Sequence, residues 1–246
     1  MGRGRGAAGG FPLLIKLLDA EDVLSVQVHP DASAVRRMGR GAAKTECWYI
    51  LDARLGAVIY KGLRAGVTRG EFEAAIAAGT AAEMLERVEV HRGECHFLPA
   101  GTCHAIGAGL LIAEIQTPSD TTYRVFDWGR VGADGRAREL HVAEALQSIR
   151  FDMPASELTV RTQGRLADSQ AFMVDKCSAG GGREAALAAG EMRVLIFVKG
   201  RGRIGGGDMG PVEFAAGETV LTPAAFEGRI MAEADTEWLA VTIPTG

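Results

Sequence analysis

From Phe11 onward the apolar residues come in short runs separated by turn residues, the pattern of a chain built from short strands. "FPLLIKLL", "LSVQVHP", "TECWYILDA" and "GAVIYKG" are rich in β-branched or aromatic residues and bounded by turn signals. At Thr68 the period changes. Thr68 and Glu71 form a T-x-x-E capping box, and "EFEAAIAAGTAAEMLERV" sets Phe72, Ile76, Met84, Leu85 and Val88 at roughly helical intervals. This predicts a helical insertion over about 68–88, split by Gly79 into two short helices. Strands return in "VEVHRGECHFLPAGTCHAI" and "GLLIAEIQ", and a further short helix is expected in "RELHVAEALQSI". The last hundred residues again alternate strands and turns: "LTVRTQGR", "QAFMVDKCS", "MRVLIFVKGRGRI", "GPVEFAAGETVLTPA" and "WLAVTIP". The opening "MGRGRGAAGG" is glycine-rich and of low complexity, and is expected to be disordered.

One echo links the two halves. Gly93-Glu94 followed by Pro99-Ala100 recurs as Gly217-Glu218 followed by Pro223-Ala224, 124 residues later. Turn, strand and proline corner repeat in order, which predicts two related β-barrel halves. His104 of the first copy corresponds to Gly228 of the second, so a metal held by the first half is not expected in the second.

Composition narrows the function classes. The chain is 47% hydrophobic and 24% charged, ordinary for a globular protein. A formal net charge of −4 without a basic stripe argues against nucleic acid as partner. Cys47, Cys95, Cys103 and Cys177 have the spacing of neither a disulfide framework nor a CxxC knuckle, which fits free thiols in a reducing cytoplasm. No run approaches the roughly 18 apolar residues of a membrane span. "FPLLIKLLDA" is interrupted by Lys16 and Asp19 and lacks the small-residue cleavage site of a leader.

Strand alternation gathers the candidate chemistry. In "SVQVHP", Ser25, Gln27 and His29 share one face and Val26 and Val28 the other. In "KTECWY", Lys44 and Glu46 share a face opposite Cys47. His104 follows a glycine corner with Cys103 facing away, and Glu114 and Gln116 share a face in an otherwise apolar strand. Two imidazoles, a carboxylate and an amide oxygen suit a divalent metal of intermediate softness, and a barrel brings inward faces from separate strands to one axis. A lone strand histidine is more often a hydrogen-bonded core residue, but an inward carboxylate such as Glu46 needs a partner. Cys95-His96 and Cys103-His104 make a poor Cys₂His₂ site, because neighbouring strand residues point oppositely. His91 sits at a turn and His141 beside a helix start, both as structural residues. Arg124 and Arg130 lie among aromatics in "SDTTYRVFDWGR", where a guanidinium fork can grip phosphate or join a surface ion pair. Lys16, inside "PLLIKLL", needs water or an anion.

Together, "FPLLIKLLDAEDVLSVQVHP", "KTECWYILDA", "LPAGTCHAIGAG" and "EIQTPSDTTYRVFDWGR" resemble the short bacterial form of the type I mannose-6-phosphate isomerase family, with four motifs in the family's order from Phe11 to about Arg150. The resemblance implies a mainly β fold of two cupin-type jelly-roll barrels with a small helical insertion in the first. It divides the chain into a metal-binding catalytic domain over 11–150 and a metal-free cupin-like domain over 151–246. It implies one zinc ion per chain, held by Gln27, His29, Glu46 and His104. Arg124, Glu114, Lys44 and Asp120 fall on catalytic or pocket-lining positions, with Glu114 among the proposed bases. Lys16, Ser25 and Arg130 fall on phosphate-contacting positions. The implied reaction interconverts mannose 6-phosphate and fructose 6-phosphate through an enediol, with a phosphorylated hexose as the partner and no nucleic acid or membrane. Family members carry several dozen residues before the FPLL strand, where this sequence has the glycine-arginine stretch, so early strands of the first barrel are expected to be absent. Two other readings compete: an Fe(II) cupin oxygenase using His29, Glu46 and His104, and a non-catalytic sugar-phosphate-binding cupin.

Overall fold

The computed structural model describes residues 10–132, 135–206 and 209–244. The expected disorder of the opening residues therefore lies outside the described residues, except at Gly10. The chain divides into two compact units, Leu13–Val160 and one built on Arg161–Gly246.

In the first unit the elements run β1 (Leu14–Ala20), β2 (Val26–Val28), α1 (Ala32–Met38), β3 (Glu46–Ala53), β4 (Val58–Leu63), α2 (Arg69–Ala78), β5 (Leu85–Glu89), β6 (Cys95–Leu98), β7 (Cys103–Ile106), β8 (Leu110–Gln116), β9 (Tyr123–Phe126), α3 (Val142–Ser148) and the short β10 (Val160–Arg161). Among the described residues they make two sheets, ordered β1-β8-β3-β6-β10 and β5-β4-β7-β2-β9. Period-2 alternation assigns each face. Trp48, Ile50 and Ile112 of the first sheet meet Ile59 and Ile106 of the second in one buried core. On the opposite face of the second sheet, Val26, Val28, Cys103 and Ala105 pack against Phe72 and Ile76 of α2 and Ala145 and Leu146 of α3. Gln27 and His104 alternate with these residues and so point inward. Gly107 allows the sheet to close, because a Cβ there would lie 2.1 Å from the Val58 carbonyl oxygen.

The helical insertion is shorter than its sequence pattern. The Thr68 and Glu71 capping box forms as expected, but α2 ends at Ala78 because Gly79 takes the left-handed conformation (φ 74°). A 3-10 turn (Ala81–Met84) follows, and Leu85–Glu89 is strand β5 rather than helix. Pairing with β4 overrides the helical spacing of Leu85 and Val88. The unit also runs ten residues past the expected division at 150. Thr159 accepts a hydrogen bond from the Phe97 N–H, and Lys61 Nζ donates to the carbonyls of Leu158 and Thr159.

The second unit contains β11 (Arg165–Asp168), β12 (Met173–Ala179), β13 (Glu184–Leu187), β14 (Arg193–Lys199), β15 (Arg201–Gly206), β16 (Met209–Ala215), β17 (Thr219–Thr222), β18 (Gly228–Ala232) and β19 (Thr236–Thr242). Its sheets are ordered β11-β12-β19-β14-β17 and β13-β18-β15-β16. The orders β1-β8-β3-β6 and β12-β19-β14-β17 correspond strand for strand, as do β5-β4-β7-β2 and β16-β15-β18-β13. The sequence echo sits at equivalent turns: Gly93 and Gly217 have φ of 93° and 92°, and their N–H groups donate to Ile50 and Phe197. Both units are cupin-type jelly rolls. Strands β13 and β18 escaped the sequence reading. "REAALAAGE" has no strand propensity of its own and is held extended by pairing with β18.

Candidate metal centre and active site

Inside the first barrel, β3, β7 and the residue that follows β2 bring two imidazoles to one carboxylate. His104 Nε2 lies 3.3 Å from Glu46 Oε1, and His29 Nε2 lies 3.5 Å from Glu46 Oε2. All three side chains are buried, and one ligand atom from each lies within 4.8 Å of the others. Among the described residues this is the one His/Cys/Asp/Glu cluster tight enough for an ion. The other ring nitrogens are already engaged: His29 Nδ1 sits 2.9 Å from the Thr121 carbonyl oxygen, and His104 Nδ1 2.9 Å from that of Thr102. A carbonyl only accepts, so each Nδ1 carries a proton and each Nε2 is the ring atom turned toward Glu46. Gln27 pairs with His104 in the ladder, and its amide is 3.4 Å from His104 Nε2.

The electrostatics match that geometry. Burial drives His104 down to about 3, with the charges of His29 and Lys44 adding to the effect against the pull of Glu46, so its ring is neutral at pH 7. Burial would raise Glu46, but His29, His104 and Lys44 hold it well below the usual carboxylate range. His29 Nε2 and Glu46 Oε1 are buried without a hydrogen bond. The neutral His104 ring, the ionised Glu46 and the unpartnered His29 Nε2 together fit a divalent cation.

Next to this cluster is a chain of alternating charges. Lys44 Nζ stands 2.8 Å from Glu46 Oε2 and 3.9 Å from Glu114 Oε1. Lys16 Nζ donates to Glu114 Oε1 and to Gln116 Oε1, each at 2.7 Å. Burial, followed by the negative charge of Glu46, raises the Glu114 pKa against the pull of Lys44 and Lys16. Arg124 is the ladder partner of Gln27 and therefore shares its face. Its Nη1 donates to the Glu139 carbonyl, while Nε is buried without a partner. Arg130 and Arg138 both bind Asp127, the first at 2.5 Å and the second through Nε at 2.7 Å.

Comparison with known proteins gives this arrangement a lineage. The family model described as "Phosphomannose isomerase type I, catalytic domain" matches residues 3–57. Mannose-6-phosphate isomerase ManA of Bacillus subtilis is 38% identical over 222 residues, covering 87% of this chain and 69% of ManA. The chain belongs to the type I phosphomannose isomerase family. A mannose-6-phosphate isomerase of Streptococcus mutans is 44% identical over 154 residues, 62% of this chain and 48% of the relative. The chain thus spans about half the length of that relative. A crystal structure of mannose 6-phosphate isomerase from Bacillus subtilis superposes with a TM-score of 0.85 at 30% identity, covering 97% of this chain and 77% of that one. A zinc-bound mannose 6-phosphate isomerase has the same fold (TM-score 0.71, 16% identity, 95% and 79% covered).

Of the residues that the resemblance to type I phosphomannose isomerases singles out, Gln27, His29, Glu46, His104, Lys44, Glu114 and Lys16 meet in one contact network. Asp120 is exposed and outside it. Ser25 is buried on the inward face, and Arg130 donates to the nearby Val23 carbonyl. Among the described residues, no hydrogen bond or ion pair joins Lys16 to Ser25 or Arg130. The decoys fall away as expected: His96 Nε2 is 3.0 Å from Glu94 Oε2, and exposed His91 pairs with the same carboxylate. Sequence reasoning passed over Asp127, Arg138 and Lys61. Lys61 was detectable, since a lysine inside "VIYKGL" poses the same question as Lys16. The carbonyls of Thr102 and Thr121 carry no sequence signal.

In the second barrel the equivalent ladder positions hold other chemistry. Gln27 and His104 correspond to Leu187 and Gly228, Glu46 to Arg193, and Trp48 and Glu114 to Leu195 and Ala240. Its interior is filled by Phe197 stacked on Phe214 at 3.7 Å and by Trp238.

Proposed function

We propose that this chain is a zinc-dependent aldose–ketose isomerase that interconverts mannose 6-phosphate and fructose 6-phosphate. The observation that carries the reading is the buried His29–Glu46–His104 cluster, with both Nε2 atoms turned on one carboxylate beside Glu114. Relatives described as mannose-6-phosphate isomerases, and a zinc-bound fold neighbour, support the substrate and the metal. Gln27, His29, Glu46 and His104 would hold the ion. When bound, it polarises sugar oxygens and offsets negative charge that develops on them.

The remaining steps belong to the chain's own groups. Moving a proton between neighbouring carbons needs a base close to its operating pH. Glu114, raised by burial, takes the proton from one carbon and returns it to the next through an enediol-type intermediate. Lys44 bridges the two carboxylates and, after His29 and His104, helps to keep Glu46 ionised. Arg124 stabilises negative charge on the intermediate, and Lys16, Ser25 and Arg130 grip the phosphate so that its binding energy positions the reacting carbons.

A coupled assay on mannose 6-phosphate, before and after chelation, tests the reading. Turnover that is lost with chelator and returns with zinc supports it. Binding of the phosphosugar without conversion sinks it in favour of a non-catalytic cupin, and oxygen consumption with Fe(II) in favour of an oxygenase.

A further inference from the structure

Gln116 has no role in the proposed chemistry, yet its side chain is fully buried beside the metal cluster. It is the ladder partner of Glu46 on one side and of Leu14 on the other. Both polar atoms of its amide are engaged. Oε1 accepts from Lys16 Nζ at 2.7 Å, and Nε2 donates to the carbonyls of Thr117 at 3.0 Å and Ser119 at 3.1 Å. This orientation is forced: turned over, the amide would set NH₂ against an ammonium and oxygen against two carbonyls.

The contacts continue in both directions. Ser119 Oγ accepts from the Thr121 N–H at 3.2 Å and donates to the Ala42 carbonyl at 3.0 Å. The Thr121 carbonyl in turn holds His29 Nδ1. On the other side, Lys16 leads to Glu114, then Lys44, then Glu46. His29 and Glu46 face each other at 3.5 Å, so the path closes into a ring. Gln116 is where the arm that sets the Lys16 ammonium joins the arm that sets the His29 ring.

We propose that Gln116 is a positioning residue that fixes the phosphate-contacting lysine and the backbone turn orienting a metal-ligating imidazole with one amide. The lysine half rests on the isomerase reading, and the imidazole half rests on the metal site alone. Removing the amide leaves the Ser119 carbonyl without a donor, leaves the Thr117 carbonyl with the Ser119 N–H alone, and frees Lys16 from one of its two acceptors, so both arms loosen together.

Three variants separate the arms: Gln116→Met, which keeps length and removes the amide; Ser119→Ala, which touches only the turn; and Lys16→Met, which touches only the ammonium. The readouts are zinc retention against a competing chelator and KM for mannose 6-phosphate. Gln116→Met is expected to weaken zinc retention roughly 10–100-fold, the scale for partners that orient metal ligands, and to raise KM roughly tenfold or more. Ser119→Ala should weaken zinc retention with KM unchanged, and Lys16→Met should do the reverse. In Lys16→Met/Gln116→Met the two KM effects should not multiply, while the zinc effect of Gln116→Met persists. A Gln116→Met protein with unchanged zinc retention overturns the proposal, as do multiplying KM effects in the double variant. If wild-type protein turns over no mannose 6-phosphate, the isomerase reading fails, and comparing Gln116→Met and Ser119→Ala for zinc retention still decides the role of Gln116.

Discussion

Lys44 Nζ lies 2.8 Å from Glu46 Oε2 with both side chains buried, so the metal-facing carboxylate has a resident counter-charge. Lys44 also faces Glu114 at 3.9 Å, which makes it the cation between two carboxylates. Replacing Lys44 with Met leaves the buried Glu46 without this counter-charge, while Glu114 keeps Lys16. Removing one partner of a buried pair costs about 3–5 kcal/mol. The metal-free protein should lose stability on that scale in urea unfolding. With zinc bound the loss should shrink, because the ion supplies the missing charge to Glu46. An equal loss with and without zinc would show that Lys44 does not balance Glu46.

The ligand set predicts coupled losses. Glu46→Ala and His104→Ala should each lose both the zinc and the zinc-dependent rise in melting temperature, since a ligand that no longer binds cannot stabilise. His96→Ala should keep both, because His96 faces Glu94 rather than the cluster. Elemental analysis after dialysis, with thermal melts, checks this. Full zinc content in either ligand variant would refute the assignment.

His96 gives the fold a pH dependence of its own. Burial, reinforced by the charge of Lys61 and opposed by Glu94, lowers its pKa to about 4. Below about pH 6.5 an unfolded chain protonates this ring while the folded protein does not. The folded state therefore loses stability as pH falls from about 6.5 to 4, at roughly 1.4 kcal/mol per pH unit from this one group. Urea unfolding of His96→Gln across that window should show a slope shallower by that amount. An unchanged slope would mean that His96 is already protonated in the fold.

Arg124 stands opposite Gln27 in the β2–β9 ladder and, among the described residues, makes no hydrogen bond or ion pair with Glu46, His29 or His104. Arg124→Ala should therefore retain zinc while losing most of its turnover. Wild-type kcat would remove Arg124 from the chemistry, and loss of zinc would recast it as a support of the metal site.

The metal cluster was readable in the sequence because a strand has only two faces. Once "SVQVHP", "KTECWY" and "GTCHAI" are strands, Gln27, His29, Glu46 and His104 must point inward opposite Val26, Val28, Cys47 and Cys103. The Thr68–Glu71 cap was readable for a similar reason, since its hydrogen bonds are local. What was missed depends on partners distant in sequence. Leu85 and Val88 keep a helical spacing yet join β4, and alanine-rich β13 is a strand only because β18 lies beside it. Gln116 was legible as an inward polar residue, but not its partners, because Lys16 lies 100 residues away. The tautomers of His29 and His104 depend on backbone carbonyls, which every residue type supplies.

Glu114 is the residue on which the proposed reaction turns. It is buried, its pKa is raised by burial and by the charge of Glu46, and it touches Lys16 without being one of the cluster's ligands. Glu114→Gln keeps the side chain's shape and an acceptor for Lys16 but removes the basic oxygen. It should therefore retain zinc and bind mannose 6-phosphate, with kcat lower by roughly 10²–10⁴-fold, the range for losing a positioned general base. Deuterium uptake from D₂O into the substrate carbon next to the carbonyl, followed by NMR, reads the proton transfer apart from product formation. Slow exchange in step with slow turnover places the base at Glu114. Exchange at the wild-type rate would move that task to Lys44 or Asp120. Lys44→Met and Asp120→Asn would then tell the two apart, because only the replaced base takes the exchange with it.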